Sequence, residues 1–220
     1  MRALIIGHTG GIGHAVAQEL RACGAQVTGV SRSTHGLDLR VPDRIGAVLQ
    51  TVTGPFDLVV VATGQLRGTE RAPEKSLKAL NAAAMADQFA VNTIGPAMIL
   101  RELPRVLPKK NLCKVVVLTA RVGSIGDNKL GGWYSYRAAK AATNQVVRTA
   151  AIEWARSHKL SCLIAYHPGT VATPFTAAYQ GTNPTVPAAK AAQHMMQVAD
   201  GLGPQHTGQF YDWTGAVVPW

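Results

Sequence analysis

Five short apolar runs, residues 3–6, 26–30, 58–62, 115–118 and 163–166, are rich in Val, Ile and Leu and lack the polar alternation of a strand with one wet face. Strands that are apolar on both sides are covered on both sides, which means a parallel sheet sandwiched between helices. Helix-like stretches separate the runs. The chain therefore reads as α/β: a doubly wound parallel sheet, a Rossmann fold in three α/β/α layers. One connection breaks the pattern, because only Ser31 to Gly36 lie between the second run and Leu37-Asp38-Leu39. So few residues cannot form the helix that links parallel neighbours. The spacing predicts a shortened second crossover, with a missing helix and a vestigial third strand.

The 220 residues suit one domain, 1–220, with no linker, repeat or low-complexity tract. The Ala-rich stretch from Asn81 to Met85 predicts a helix or its approach. With 47% hydrophobic and 15% charged residues the chain is globular, and no run is apolar enough to span a bilayer. Met1 and Arg2 lead straight into the first strand-like run, leaving no room for a signal sequence, so a cytoplasmic location is expected. The net charge of +10 attracts polyanions. The basic residues are scattered and no nucleic-acid-reading motif is present, so a phosphate-rich cofactor suits that field better than nucleic acid. Cys23, Cys113 and Cys162 fit neither a metal site nor a disulfide framework and are expected as buried free thiols.

Directly after the first run comes Gly7-His8-Thr9-Gly10-Gly11-Ile12-Gly13, followed by helical apolar spacing through Ala15 to Leu20. Strand, glycine turn and helix in that order form a pyrophosphate cradle: Gly7, Gly11 and Gly13 let the backbone approach, and the helix N-terminus offers free N–H groups. His8 within it reads as a local hydrogen-bonding partner. At the end of the second run, where an acid would hold the adenosine ribose hydroxyls, stand Ser31 and Arg32. A guanidinium there pairs with a 2′-phosphate, which favours NADP(H) over NAD(H). Asp38 is a candidate acceptor for the adenine amino group; its alternative is a turn residue.

Tyr136 and Lys140 are four apart in a long helical stretch and share one face. A phenol, with an ordinary pKa near ~10, becomes a usable acid or base beside an ammonium and a cationic ring. Tyr134 is the rival phenol, but Ala138 stands four positions on.

Taken in order, these motifs resemble the short-chain dehydrogenase/reductase family over nearly the whole chain. The glycine turn is similar to the family's, with Ile6 where a threonine is usual. Ala62-Thr63-Gly64 resembles a worn Asn-Asn-Ala-Gly motif, Asn92 matches the helix asparagine that holds a relay water, and Tyr136 with Lys140 matches the catalytic pair. His167-Pro168-Gly169-Thr170-Val171-Ala172-Thr173 resembles the segment that contacts the nicotinamide end. The resemblance implies hydride transfer between NADP(H) and a carbonyl or alcohol, with Tyr136, Lys140 and Asn92 catalytic. It implies that Gly7, Thr9, Gly10, Gly11, Ile12, Gly13, Ser31, Arg32, Asp38, Leu39, Ala62, Thr63, Gly64, Thr119, Tyr136, Lys140, Pro168, Gly169, Val171 and Thr173 hold the cofactor. It further implies a homodimer or homotetramer, with no metal.

The departure lies in Thr119-Ala120-Arg121-Val122-Gly123-Ser124. The family's carbonyl-polarising serine falls on Ala120, so Thr119, Ser124 or water is left to supply the hydroxyl. A looped insertion, residues 127–132, accounts for the long spacing to Tyr136. These stretches and the ending Val218-Pro219-Trp220 are most similar to the C-factor and sniffer-like branch. A non-catalytic NADP-binding regulator is the competing function. Residues 174–187 are expected to form a substrate lid, and the tryptophans mostly to pack.

Overall fold

The computed structural model of the chain describes residues 1–67, 72–179 and 184–220. Its sheet is six-stranded and parallel throughout, built from β1 (Arg2–Ile6), β2 (Gln26–Val30), β3 (Leu58–Val61), β4 (Cys113–Leu118), β5 (Ser161–His167) and a short last strand, β8 (Phe210–Asp212), in the order β2-β1-β3-β4-β5-β8. Alternate residues of each strand enter different cores. Leu4, Ile6, Val59, Val61, Val115, Val117 and Leu163 face one side; Ala3, Ile5, Leu58, Val60, Val116 and Ile164 face the other.

Helices cover both faces. On the first side α3 (Pro42–Gln50) supplies Ile45 and Leu49, α5 (Gly95–Glu102) supplies Ile99 and Leu100, and α6 (Tyr134–Ser157) supplies Val147, Ala151 and Trp154. On the second, α1 (Gly11–Ala22) supplies Val16 and Leu20, and α7 (Ala188–Asp200) supplies Ala192 and Met195. Burying each large aliphatic side chain contributes about 1.5–3 kcal/mol, which is why the uninterrupted apolar runs became strands. The first five of these strands and both helical layers are those expected; the short last strand was not. Among the described residues no helix is long and apolar enough to cross a membrane.

The short crossover differs from expectation in one respect. Residues Ser31 to Gly36 hold a single helical turn, α2 (Arg32–His35), closed by Gly36 at φ +66°. No third strand follows. Leu37 and Leu39 are buried in the first core without a ladder partner, β2 stays at the sheet edge, and the chain next joins the sheet as β3 on the far side of β1. Two leucines can bury their side chains without the hydrogen-bonded register of a strand, and one helical turn cannot carry the chain across a sheet face.

The cysteines also need a correction. Cys113 and Cys162 are buried and their thiols pushed up to about 12 and about 11 by burial, whereas Cys23, just after α1, is exposed.

Two-residue strands β6 (Val171–Ala172) and β7 (Val186–Pro187) pair in parallel and tie together the ends of the expected lid. Residues 180–183 of that segment lie outside the described residues. The tail folds back on the last strand: Val218 N–H donates to the Phe210 carbonyl at 2.8 Å, and Trp220 stacks on Phe210 with ring centroids 5.7 Å apart.

Candidate active site

The glycine turn joins β1 to α1 as expected. Gly7 has φ +91°, and a Cβ there would stand 2.5 Å from the Ala62 carbonyl oxygen. Gly10 precedes α1 without a side-chain cap, and no acid occupies the first turn. The first N–H groups, including those of Ile12 and Gly13, thus keep the partial positive charge that attracts phosphate. A Cβ at Gly11 would lie 2.5 Å from Thr173 Cγ2, so the segment after β5, with Pro168, Gly169 at φ +78° and buried Val171, comes down against the glycine turn.

Sequence neighbours at the end of β2 divide their work. Ser31 is buried and caps α2, accepting from Thr34 N–H at 3.3 Å, while Ser33 Oγ donates to Thr9 Oγ1 at 3.2 Å and links α2 to the glycine turn. Arg32 is exposed and pairs with no carboxylate among the described residues. Asp38 accepts from Arg40 N–H at 3.0 Å, the turn role that was its alternative. The Leu39 side chain belongs to the core and packs against Gly95. His8 lies against Gly29, where a side chain would collide with its ring, and its buried Nδ1 has no hydrogen-bond partner. The local hydrogen bond expected of it is not formed.

At the other end of the crevice Tyr136 and Lys140 stand one turn apart on α6, both buried. Lys140 Nζ lies 5.8 Å from the Tyr136 ring centroid and donates to the Leu118 carbonyl at 3.3 Å. A Cβ at Gly64 would be 3.4 Å from Lys140 Nζ and 2.9 Å from Asn92 Oδ1, so lysine and asparagine flank the same glycine after β3. Asn92 sits in a π-helical stretch, residues 90–94, between α4 (Ala82–Phe89) and α5. Such wide turns cluster at functional sites. Its amide donates to the Gln65 carbonyl at 2.8 Å and to Gln88 Oε1 at 2.6 Å, and its oxygen accepts from Gln65 N–H at 3.0 Å.

Burial sets the electrostatics here. It pushes the Tyr136 phenol above its ordinary range and lowers Lys140 to about 8. Desolvation disfavours whichever form is charged, and for this phenol it outweighs any help from the neighbouring ammonium. Tyr136 opens on a pocket of ≈ 350 Å³ that it shares with Ser135, Leu66, Glu74, Ala84 and Gln88.

Among the described residues, the buried hydroxyls without a hydrogen-bond partner include Thr63 Oγ1 after β3 and Thr119 Oγ1 after β4. Both stand at the carboxyl edge of the sheet, where open α/β folds bind ligands. Unpaired buried donors are costly unless a ligand meets them. Together with the uncapped α1 and the glycine turn they fit a dinucleotide along this edge. Ala120 follows Thr119 with no hydroxyl, and Ser124 cannot replace it, because its Oγ donates to the Pro219 carbonyl and accepts from Asp127 N–H at 3.1 Å.

The model for short chain dehydrogenases matches residues 33–183. The chain is a short-chain dehydrogenase. This short-chain dehydrogenase is 34% identical over 168 residues to the C-signal of Myxococcus xanthus, spanning 76% of the chain and 95% of that protein. It is 37% identical over 138 residues to the 1-hydroxy-2-glutathionyl-2-methyl-3-butene dehydrogenase of Rhodococcus sp. (strain AD45), spanning 60% of the chain and 57% of that enzyme. The NADPH-bound carbonyl reductase from chicken fatty liver superposes with a TM-score of 0.82 at 23% identity, over 100% of the chain and 98% of its own, a likeness of fold.

Several polar residues of this short-chain dehydrogenase escaped the sequence reading. Arg40 Nε donates to Asp87 at 2.7 Å and its Nη2 to Gln65 Oε1 at 2.7 Å, while Gln65 Nε2 donates to Asp87 at 2.6 Å, which locks the loop after β3 onto α4. Glu74 reaches the start of α6, and Arg121 spans Asp127 at 2.5 Å and Asp212 at 3.4 Å. Each partner is six or more positions away in sequence, beyond any local pattern. The glutamine that follows Gly64 is the one usable signal, since a polar residue beside a worn motif invites a substitute role.

Proposed function

We propose that this short-chain dehydrogenase moves a hydride between NADP(H) and a carbonyl or alcohol, with Tyr136 exchanging the proton. The observation that carries the reading is that Lys140 and Asn92 meet at Gly64 while Tyr136, one turn from Lys140 on α6, opens on a pocket. NADPH supplies the hydride when bound. Gly7, Gly11, Gly13 and Thr9 would cradle its pyrophosphate, and Thr63, Gly64, Thr119, Pro168, Gly169, Val171 and Thr173 would line its nicotinamide end. In the reducing direction the Tyr136 hydroxyl donates its proton to the oxygen of the substrate as that oxygen becomes an alkoxide. A phenol held above its ordinary range by burial stays protonated at neutral pH and is suited to donate. Lys140 would orient the ribose and compensate the phenolate that remains, and Asn92 fixes the loop carrying Gly64.

The test is NADPH consumption against a panel of aldehydes, ketones and quinones. Turnover supports the reading. Tight NADPH binding with no turnover on any member would instead favour a non-catalytic regulator, the reading that Ala120 and the engaged Ser124 support.

Two substitutions sharpen it. Removing a positioned oxyanion donor costs other enzymes about 10²–10³ in rate, and restoring one in a site not shaped around it returns less. Ala120→Ser is therefore expected to raise kcat about tenfold with NADPH affinity unchanged; no gain would mean that Thr119 or water already fills the role. Arg32, exposed and paired with no carboxylate among the described residues, is the residue that would meet the 2′-phosphate. Arg32→Glu should raise the Kd for NADPH by about tenfold or more, the worth of a charge-assisted hydrogen bond, and leave NADH nearly unchanged. Titration with both nucleotides decides it, and equal effects would remove the 2′-phosphate assignment. Sedimentation would test assembly as a homodimer or homotetramer.

A further inference from the structure

We propose that Glu74 is a positioning residue for Tyr136, acting as the cap of the catalytic helix from 61 positions upstream; the inference rests on the reading of Tyr136 given above. The start of α6 is poorly prepared by its own sequence. Trp133, the residue before the helix, has φ +54° in the left-handed region and no side-chain cap, and the first turn contains no acid. Helix starts leave orphan N–H donors that normally draw on a local Ser, Thr, Asp or Asn.

Glu74 fills that vacancy. Its Oε2 accepts from Ser135 N–H at 3.2 Å, its Oε1 accepts from the Ser135 hydroxyl, and its backbone carbonyl accepts from Trp133 N–H at 2.5 Å. Ser135 immediately precedes Tyr136, whose ring meets Trp133 edge-on at 6.1 Å. A carboxylate at this end also opposes the positive end of the helix dipole. Among the described residues no lysine or arginine pairs with it. Glu74 also lines the pocket onto which Tyr136 opens, so one side chain joins the pocket wall to the residue that handles the proton. A small shift of a reacting group costs rate far more than binding.

The experiment compares wild type with Glu74→Ala, Glu74→Gln and Ser135→Ala. It measures kcat and KM on the best carbonyl of the panel, NADPH affinity by fluorescence, and hydrogen exchange over residues 133–138. Glu74→Ala is expected to lower kcat about tenfold with KM and NADPH affinity nearly unchanged, and to speed exchange at the start of α6. Glu74→Gln, which keeps one acceptor, recovers part of both losses. The double variant Glu74→Ala, Ser135→Ala is no worse than Glu74→Ala, because both break one link.

Unchanged exchange and kcat in Glu74→Ala would overturn the proposal. So would a Gln variant as slow as the Ala variant with first-turn exchange at the wild-type rate, since the carboxylate would then act in the chemistry. If wild type turns over nothing on the panel, the reading of Tyr136 fails separately, and exchange alone decides whether Glu74 caps α6. Should Glu74→Ala fail to fold, Glu74→Gln and Ser135→Ala carry the same comparison.

Discussion

Replacing Tyr136 by phenylalanine is expected to lower kcat for carbonyl reduction by on the order of 10³, with NADPH affinity within about twofold of wild type. The buried ring keeps its edge-on contact with Trp133 and the change removes only the hydroxyl, so the fold and the pocket persist. The pH profile should separate this proton from others. Burial holds the phenol above its ordinary range, so it stays available as a donor through neutral pH, while Lys140 loses its proton near about 8. The reduction rate is therefore expected to be level below about 8 and to fall above it as the ammonium is lost. Lys140→Met removes that limb. Residual turnover in Tyr136→Phe within about tenfold of wild type would assign the proton to another group.

The second large effect is on stability in mild acid. His167 ends β5, its Nδ1 is sealed from solvent without a partner, and its pKa is lowered to about 4. Burial is the main cause; Asp212 opposes it and Arg121 reinforces it. In the unfolded chain the imidazole binds a proton below its ordinary 6.5. Between those two values the unfolded state binds one proton that the folded state does not, so stability declines as pH falls across the window. At 1.36 kcal/mol per unit the whole drop is about 3 kcal/mol, present in full above 6.5 and lost by about 4. The ion-paired carboxylates Asp87 and Asp127, held below 3.8 chiefly by hydrogen bonds from Arg40 and Arg121, act only at lower pH and do not obscure it. Urea midpoints measured at neutral pH and near pH 4.5 should show this slope in wild type and not in His167→Leu. A variant with the wild-type slope would move the effect to another residue.

What the amino-acid order settled alone was whatever depends on neighbours along the chain. A strand covered on both faces must be apolar at every position, so residues 58–61 and 115–118 announce themselves. The glycine turn is legible because its conformation needs residues without a Cβ, and Tyr136 with Lys140 because four positions make one helical turn. Leu37 and Leu39 carry the same apolar signal as a strand, yet the ladder partner that would make them one is not a property of their own segment. The last strand, β8, was likewise hidden, since three residues have no periodicity to read.

Tertiary structure decided which polar atoms are spent and which remain free. Ser124 looked like a substitute for the serine missing at Ala120 until the tail, 95 positions on, took its hydroxyl. Asn92 is clamped by Gln65 across 27 positions, and the cap of α6 comes from Glu74 across 61. Hydrogen bonds of this kind form only after the hydrophobic layers have brought distant segments together. Their geometry follows from the packing of whole elements and leaves no trace in local composition or spacing.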